Sequence, residues 1–127
     1  MNTVVIGVGS NINPENNIRL AKDKISSEVR LIKSSTLVFT KPVGYENQDD
    51  FLNGAFLIET EQDKGNLDKI LKKIEIELGR KKILNKDGPR TIDLDILLWN
   101  NQIIDSDVYS RNYLKESVLE LLPDFKF

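Results

Sequence analysis

The residues best suited to chemistry are Asp93 and Asp95, two positions apart in the run GPRTIDLD at 88–95. Residues i and i+2 of a β-strand point to the same side, about 6.5–7 Å apart. Two neighbouring carboxylates repel each other unless a cation lies between them, and Mg²⁺ prefers oxygen ligands while it retains waters and substrate phosphates. The pair therefore predicts a site for two Mg²⁺ ions that bridge a polyphosphate. A solvated strand face with two acids is the plainer alternative.

A basic segment at 80–90 precedes this pair. Its only acid is Asp87, so its local charge is +4 in a chain of net charge −2. Guanidinium groups match phosphate oxygens in a bidentate way, which favours the two flanking arginines as phosphate ligands. Gly88 could be the hinge of a lid that excludes water, although the three lysines are equally compatible with a solvated loop. The cations are Arg80, Lys81, Lys82, Lys86 and Arg90.

A second group of candidates lies earlier in the chain. Phe51 and Asn53 are two positions apart on a predicted strand, and Thr40 and Val43 stand in the loop before it. A ring that stacks and an amide that both donates and accepts hydrogen bonds would suit a flat heterocycle. The alternative is that Phe51 belongs to the core and Asn53 to an edge or turn.

Composition excludes several classes of function. The 127 residues include no histidine and no cysteine, which rules out triads built on either residue and makes a zinc site unlikely. A net charge of −2 argues against a general nucleic-acid binder. The sequence also lacks an apolar run of about 20 residues and signal-peptide features. We expect one domain spanning residues 1–127, in the cytoplasm.

The elements that position these candidates follow from hydrophobic periodicity. Asn13 and Pro14 open a first helix as N-cap and N1 residues, and Asn66 caps a second helix that ends at Gly79. A short last helix is expected within 114–121. The predicted strands cover residues 3–8, 29–39, 51–60, 91–99 and 102–104.

This β-α-β-β-α-β order predicts an α+β fold. Its sheet would be antiparallel with two main helices on one face, the ferredoxin-like arrangement. The other face of the sheet would then be free for ligands.

These segments, in this order, resemble the 6-hydroxymethyl-7,8-dihydropterin pyrophosphokinase family of folate synthesis. The run GPRTIDLDILLW at 88–99 is the most specific part of the resemblance. The other similar stretches are IGVGSN at 6–11, PVG at 42–44, QDDFLN at 48–53, IEIELGR at 74–80, RNY at 111–113 and LLPD at 121–124.

The resemblance implies a reaction and a role for each matching residue. Diphosphate would pass from MgATP to the pterin hydroxymethyl group, with release of AMP. Asp93 and Asp95 would bind two Mg²⁺ ions, and Arg80 and Arg90 would be catalytic. The implied nucleotide-binding residues are Glu75, Lys82, Ile96 and Arg111. The implied pterin-binding residues are Thr40, Val43, Phe51, Asn53 and Tyr113, with the pterin stacked between Phe51 and Tyr113. ATP and the pterin are the expected partners of a monomer, without nucleic acid or membrane.

Three departures from the family pattern leave an alternative open. Residues 105–110 replace a longer segment that usually contains Pro-His, Asp87 stands where a large residue is common, and Lys82 replaces a frequent arginine. A shortened relative that binds pterin or nucleotide but transfers diphosphate weakly is the second hypothesis. A ferredoxin-like RNA-binding module is the third, and it lacks the exposed aromatic residues that such modules use.

Overall fold

A computed structural model describes residues 1–42, 44, 47–79 and 89–127 of the chain. Within these residues, no helix is both long enough and apolar enough to cross a lipid bilayer. The same residues form six strands and four helices. In chain order these are β1 Asn2–Ser10, α1 Pro14–Glu28, β2 Arg30–Ser34, β3 Val38–Thr40, β4 Phe51–Thr60, α2 Lys64–Glu77, β5 Asp93–Trp99, β6 Gln102–Ile103, α3 Asp107–Ser110 and α4 Asn112–Leu121.

The strands form one open sheet in the order β2-β4-β1-β5-β6, and β3 pairs with β4 beyond the end of β2. Every pairing is antiparallel. Strand β1 lies in the middle, because it pairs with β4 on one side and with β5 on the other. The predicted mixture of helices with an antiparallel sheet is confirmed.

Helices α1 and α2 cover one face of this sheet. The apolar residues of α1 that fall at helical spacing, Ile18, Ala21 and Ile25, are buried. In α2, Leu67, Leu71 and Ile74 are buried, while Ile70 and Leu78 pack at the margin. Strand β5 contributes alternate residues to the same core, as its period of two predicts. The buried residues are Leu94 and Ile96 of β5 and Ile92, which directly precedes the strand.

The opposite face of the sheet is half covered, so the prediction that it is free is wrong for that half. Helix α4 places Leu114, Val118 and Leu121 against it, at helical spacing. In β5, Leu97 has no partner in β1, since Val5 pairs with Leu98 and the next residue of β1 pairs with Ile96. This bulge adds apolar surface to the second core. Among the described residues, no helix packs on the other half of the face, and we call this part the open half.

Two predicted boundaries change for local reasons. The strand expected at 29–39 is divided at Ser35, whose hydroxyl accepts a hydrogen bond from the Ala55 N–H at 2.8 Å. The Ser35 hydroxyl accepts this bond in place of a backbone carbonyl, and the regular hydrogen-bond ladder between β2 and β4 stops there. Helix α2 is capped by Asp63 rather than Asn66, because the Asp63 carboxylate accepts from the Asn66 N–H at 2.7 Å. Gly79 has φ +93°, as a C′ glycine requires.

Candidate active site

The open half of the sheet has a floor of glycines between polar side chains. Gly9 of β1 pairs with Asn53 of β4 on one side and with Asp93 of β5 on the other. Two residues along, Gly7 pairs with Asp95. Because adjacent strands are about 4.8 Å apart, the Asn53 and Asp93 backbones lie roughly 10 Å from each other across one glycine. The two predicted groups of candidates therefore meet on one surface.

This surface forms a cavity of about 260 Å³. Eight of the predicted site residues line it, and they include members of the predicted metal, pterin, catalytic and nucleotide groups. They are Thr40, Phe51, Asn53, Arg90, Asp93, Asp95, Arg111 and Tyr113. The structure thus brings together residues that lie as far apart in sequence as 40 and 113.

The two aspartates are electrostatically strained. The Asp95 side chain is 46% exposed, but it lies against the cavity wall. Burial, then the charge of Asp93, raises its pKa to about 7, although Lys72 opposes this from 4.0 Å away. A divalent cation beside both carboxylates would remove the repulsion.

The donors fit Mg²⁺ better than a metal held entirely by protein. Among the described residues, no group of three or more histidine, cysteine, aspartate or glutamate side chains is arranged to hold a metal ion. Mg²⁺ is commonly bound through one or two carboxylates, with phosphates and waters completing its octahedron. Asp93 and Asp95 could provide that anchor.

Asn53 is fixed from the side opposite the aspartates. Its amide nitrogen donates to the Thr40 hydroxyl at 2.6 Å and to the Phe51 carbonyl at 3.3 Å. Its oxygen is the nearest atom to the side of Gly9 that faces the cavity. Because the donor end is anchored within the protein, the orientation of the amide is set before any ligand enters.

Tyr113 and Arg111 close the cavity from the start of α4. The Arg111 guanidinium donates to the Tyr113 hydroxyl at 3.1 Å and lies 3.7 Å from the carboxylate of Asp107. The hydrogen bond to Tyr113 is the main cause of a raised pKa at Arg111. The pair is therefore held together with the arginine charged.

A second acidic pair, Asp105 and Asp107, also lines the cavity and was not predicted from the sequence. The Asp105 carboxylate accepts from the Asp107 N–H, the first N–H of the short helix α3, at 2.9 Å. Lys41 is a further cation on the cavity wall that was not predicted. An Asp-x-Asp before a helix was visible in the sequence, but the β5–β6 hairpin alone brings it back to the cavity.

Two predicted nucleotide residues lie away from this cavity. Glu75 is 3% exposed on the helix-covered side, where its carboxylate accepts from the Leu94 N–H at 2.7 Å. Ile96 is buried in the core beneath α1 and α2. Lys72 connects the two sides, at 3.6 Å from Glu75 and 4.0 Å from Asp95. Their role in nucleotide binding stays a prediction.

Part of the predicted site falls outside the described residues. This applies to Val43 of the pterin group and to Arg80 and Lys82 of the basic loop. It applies also to Lys81, Lys86, Asp87 and the expected hinge, Gly88. Arg90, at the end of that loop, is the one predicted loop arginine that the described residues place in the cavity.

Comparison with known proteins gives a consistent result. Residues 5–123 match the family model described as 7,8-dihydro-6-hydroxymethylpterin-pyrophosphokinase. The 2-amino-4-hydroxy-6-hydroxymethyldihydropteridine pyrophosphokinase of Haemophilus influenzae is 36% identical over 135 residues, which cover 98% of this chain and 84% of that protein. The Bacillus subtilis protein of the same name is 40% identical over 109 residues, 84% of this chain and 65% of its own. The folate synthesis bifunctional protein of Arabidopsis thaliana is 36% identical over 132 residues, 94% of this chain and 27% of its own.

Proposed function

Because the chain belongs to the 7,8-dihydro-6-hydroxymethylpterin-pyrophosphokinase family, we propose that it transfers diphosphate from MgATP to 6-hydroxymethyl-7,8-dihydropterin in folate biosynthesis. The observation that carries this is the row Asn53–Gly9–Asp93, which gives one cavity an amide on one side and a carboxylate pair on the other. An acceptor bound at the amide and a polyphosphate bound at the carboxylates would lie side by side.

The pterin would occupy the side of the cavity formed by Asn53, Phe51 and Tyr113. The anchored Asn53 amide supplies an oriented hydrogen-bonding group, and the two aromatic rings line the same cavity. A flat bicyclic ring gains from stacking against such rings and from amide pairing at its edge. This would direct the hydroxymethyl group over the glycine floor.

The phosphates would occupy the side formed by Asp93, Asp95 and Arg90. Mg²⁺ held by the two aspartates, two ions in our proposal, would neutralise phosphate charge. Arg90 and Arg111 would donate to phosphate oxygens in the bidentate manner of guanidinium groups. Arg80 and Lys82 would add to these from the basic loop, and Glu75 and Ile96 would support the nucleotide from beneath the strand.

The transfer then depends on the alignment of the pterin hydroxyl oxygen with the β-phosphorus of ATP. The pterin hydroxyl oxygen forms a bond to the β-phosphorus, and the bond from that phosphorus to the α–β bridging oxygen breaks. AMP departs with the bridging oxygen, and a proton is released. Such reactions depend mostly on positioning and charge stabilisation, so the absence of histidine from the sequence is no obstacle.

We extend the proposal to the fold arrangement, the oligomeric state and the cellular location. Without the short strand β3, the elements run β1-α1-β2-β4-α2-β5, which supports grouping the sheet with the ferredoxin-like arrangement. We also propose a monomer that acts in the cytoplasm. The alternative of a binding relative that transfers poorly is not favoured, since the aspartates and Arg90 share the cavity with the pterin candidates.

A labelled-transfer assay tests the function. The chain is incubated with Mg²⁺, 6-hydroxymethyl-7,8-dihydropterin and ATP labelled at the β-phosphorus. We expect AMP and a labelled pterin diphosphate, both dependent on the pterin. Formation of ADP in place of AMP, or retention of all label in ATP, would overturn the proposal.

A further inference from the structure

The connection between β1 and α1 contains a buried amide, Asn11, which lies outside the cavity but is bonded to segments that lead to both of its sides. Asn11 is 5% exposed. Its oxygen accepts from the Arg90 N–H at 2.8 Å, and its nitrogen donates to the Gln48 side-chain oxygen at 2.7 Å and to the Asp49 carbonyl at 3.0 Å. One side chain thus joins a loop before β4 to the segment before β5.

The orientation of this amide is fixed by its partners. The Arg90 N–H can only donate and the Asp49 carbonyl can only accept, so the oxygen must face Arg90 and the nitrogen must face Asp49. The Asn11 N–H also donates to the Arg90 carbonyl at 3.1 Å. Arg90 is therefore held at both its backbone groups by one residue.

The neighbouring Ser10 strengthens the same attachment. Its hydroxyl donates to the Thr91 carbonyl at 2.6 Å, and the residue is fully buried. Ser10 and Asn11 together fix the backbone at 90–91, just before the metal-binding aspartates. Strand β6 pairs with Leu98 and Trp99, at the far end of β5 from this segment.

The two attached segments lead directly to opposite sides of the cavity. Asp49 is two residues before Phe51, on the proposed pterin side, and Arg90 is three residues before Asp93, on the proposed phosphate side. A shift of either segment would change the distance between the bound acceptor and the bound phosphates. Transfer rates are sensitive to displacements of about 1 Å.

We propose that Asn11 is a positioning residue that sets the register between the pterin side and the phosphate side of the cavity. It touches neither substrate. It acts through Arg90 on one side and through the loop containing Gln48 and Asp49 on the other. This inference rests on the proposed function, and its test separates the two.

The variant Asn11→Asp breaks one half of the connection selectively. A carboxylate retains the acceptor for the Arg90 N–H, but it turns its second oxygen toward the Asp49 carbonyl, which can only accept, and it loses the donor that meets the Gln48 oxygen. We expect the KM for the pterin to rise about tenfold, on the scale of one or two lost hydrogen bonds, with a smaller change in the KM for ATP. Binding of the pterin alone, measured by calorimetry, should weaken by a similar factor.

Asn17→Asp is the matched control. Asn17 is also buried, at 9% exposure, and its amide donates to the Ile12 carbonyl in the same connection, at 2.6 Å. It contacts neither Arg90 nor the loop before β4 in the described contacts. If loosening of this connection were the only effect, Asn11→Asp and Asn17→Asp would both lower Tm. The folded forms of the two variants would then have the same kinetic constants.

Gln48→Leu tests the connection if Asn11→Asp folds poorly. Gln48 is half-buried, and its replacement removes one acceptor without altering Asn11. We expect the KM for the pterin to rise a few-fold, and Gln48→Glu, which keeps an acceptor, to show a smaller rise.

Wild-type enzyme that forms no AMP would refute the proposed function. Active wild type with unchanged pterin KM and kcat in both Asn11→Asp and Gln48→Leu would refute the positioning role instead.

Discussion

Asn53 and Asp93 flank the same residue of the central strand, Gly9, and face one cavity from its two sides. A glycine at this position leaves the floor between them empty. The floor separates the amide that we propose binds the pterin from the carboxylate that we propose binds Mg²⁺ by about two strand spacings, roughly 10 Å. This arrangement is the basis for treating the pterin and phosphate residues as one site.

Gly9→Ala should weaken pterin binding. A Cβ there would lie 2.9 Å from the Asn53 side-chain oxygen, and Asn53 cannot easily turn away because Thr40 holds its amide nitrogen at 2.6 Å. We expect the pterin dissociation constant, measured by calorimetry, to rise about tenfold or more, on the scale of overpacking energies.

Gly65→Ala is the control for that substitution. Its Cβ would meet the Asp63 carboxylate at an ordinary 3.5 Å, in the first turn of α2. This change should stabilise the protein by up to about 1 kcal/mol and leave pterin binding as it is. Equal pterin affinity in Gly9→Ala and wild type would contradict the assigned position of the pterin.

Asp93→Asn and Asp95→Asn should each abolish Mg²⁺-dependent AMP formation while the circular dichroism spectrum stays that of the folded protein. Each removes a charged oxygen ligand from the pair that faces the cavity. The exposed Asp68→Asn on α2 is the control for loss of one negative charge. Turnover near the wild-type rate in either cavity variant would count against the metal site.

Asp95 should make the metal-free protein less stable as pH rises. Its pKa in the folded state is raised to about 7 from an ordinary 3.8, chiefly by burial and by Asp93. Between these values the folded state binds more protons than the unfolded state, so the free energy of unfolding falls as pH increases through that window. The side chain in the Asp95→Asn variant does not ionise, so the free energy of unfolding of this variant should not show this fall.

Urea denaturation in EDTA at about pH 4 and about pH 8 measures the effect. The stability of Asp95→Asn relative to wild type should be greater at the higher pH. A difference that stays constant between the two pH values would show that Asp95 titrates normally.

Glu75→Ala should destabilise the fold by about 1–3 kcal/mol, because it leaves the buried Leu94 N–H without its acceptor. Glu75→Gln keeps an oxygen there and should lose less. The control is Glu77→Ala on the same helix, which removes an exposed ion pair to Lys24 of α1 and should change stability by about 0.5 kcal/mol or less. Thermal unfolding would measure all three, and equal losses for Glu75→Ala and Glu77→Ala would contradict the assigned contact.

Local sequence patterns were enough to predict most of the helices and strands. They also predicted that the side chains of Asp93 and Asp95 lie on the same side of a strand. The period of two in β5 placed Asp93 and Asp95 together, and the helical stripe of α1 was buried as expected. The strands predicted at 91–99 and 102–104 leave two residues for a turn, Asn100 and Asn101, and both have positive φ. These features depend on residues close together in the chain.

The features that were missed depend on distant pairings. The bond between Asn11 and Arg90 spans 79 residues, and only the register of β1 against β5 brings the two together. Asp105 joins the cavity just after the β5–β6 hairpin, and local sequence patterns do not show which part of the sheet the residues after that hairpin face. The bulge at Leu97 likewise gave α4 a partner surface that a regular strand would not have offered.

A structure with Mg²⁺, the pterin and an ATP analogue that cannot be cleaved between its α- and β-phosphates tests the central claim most directly. We predict metal on Asp93 and Asp95, the pterin ring beside Asn53, and the hydroxymethyl oxygen facing the β-phosphorus over Gly9. Pterin and phosphates bound on separate surfaces, or metal bound away from the two aspartates, would contradict it.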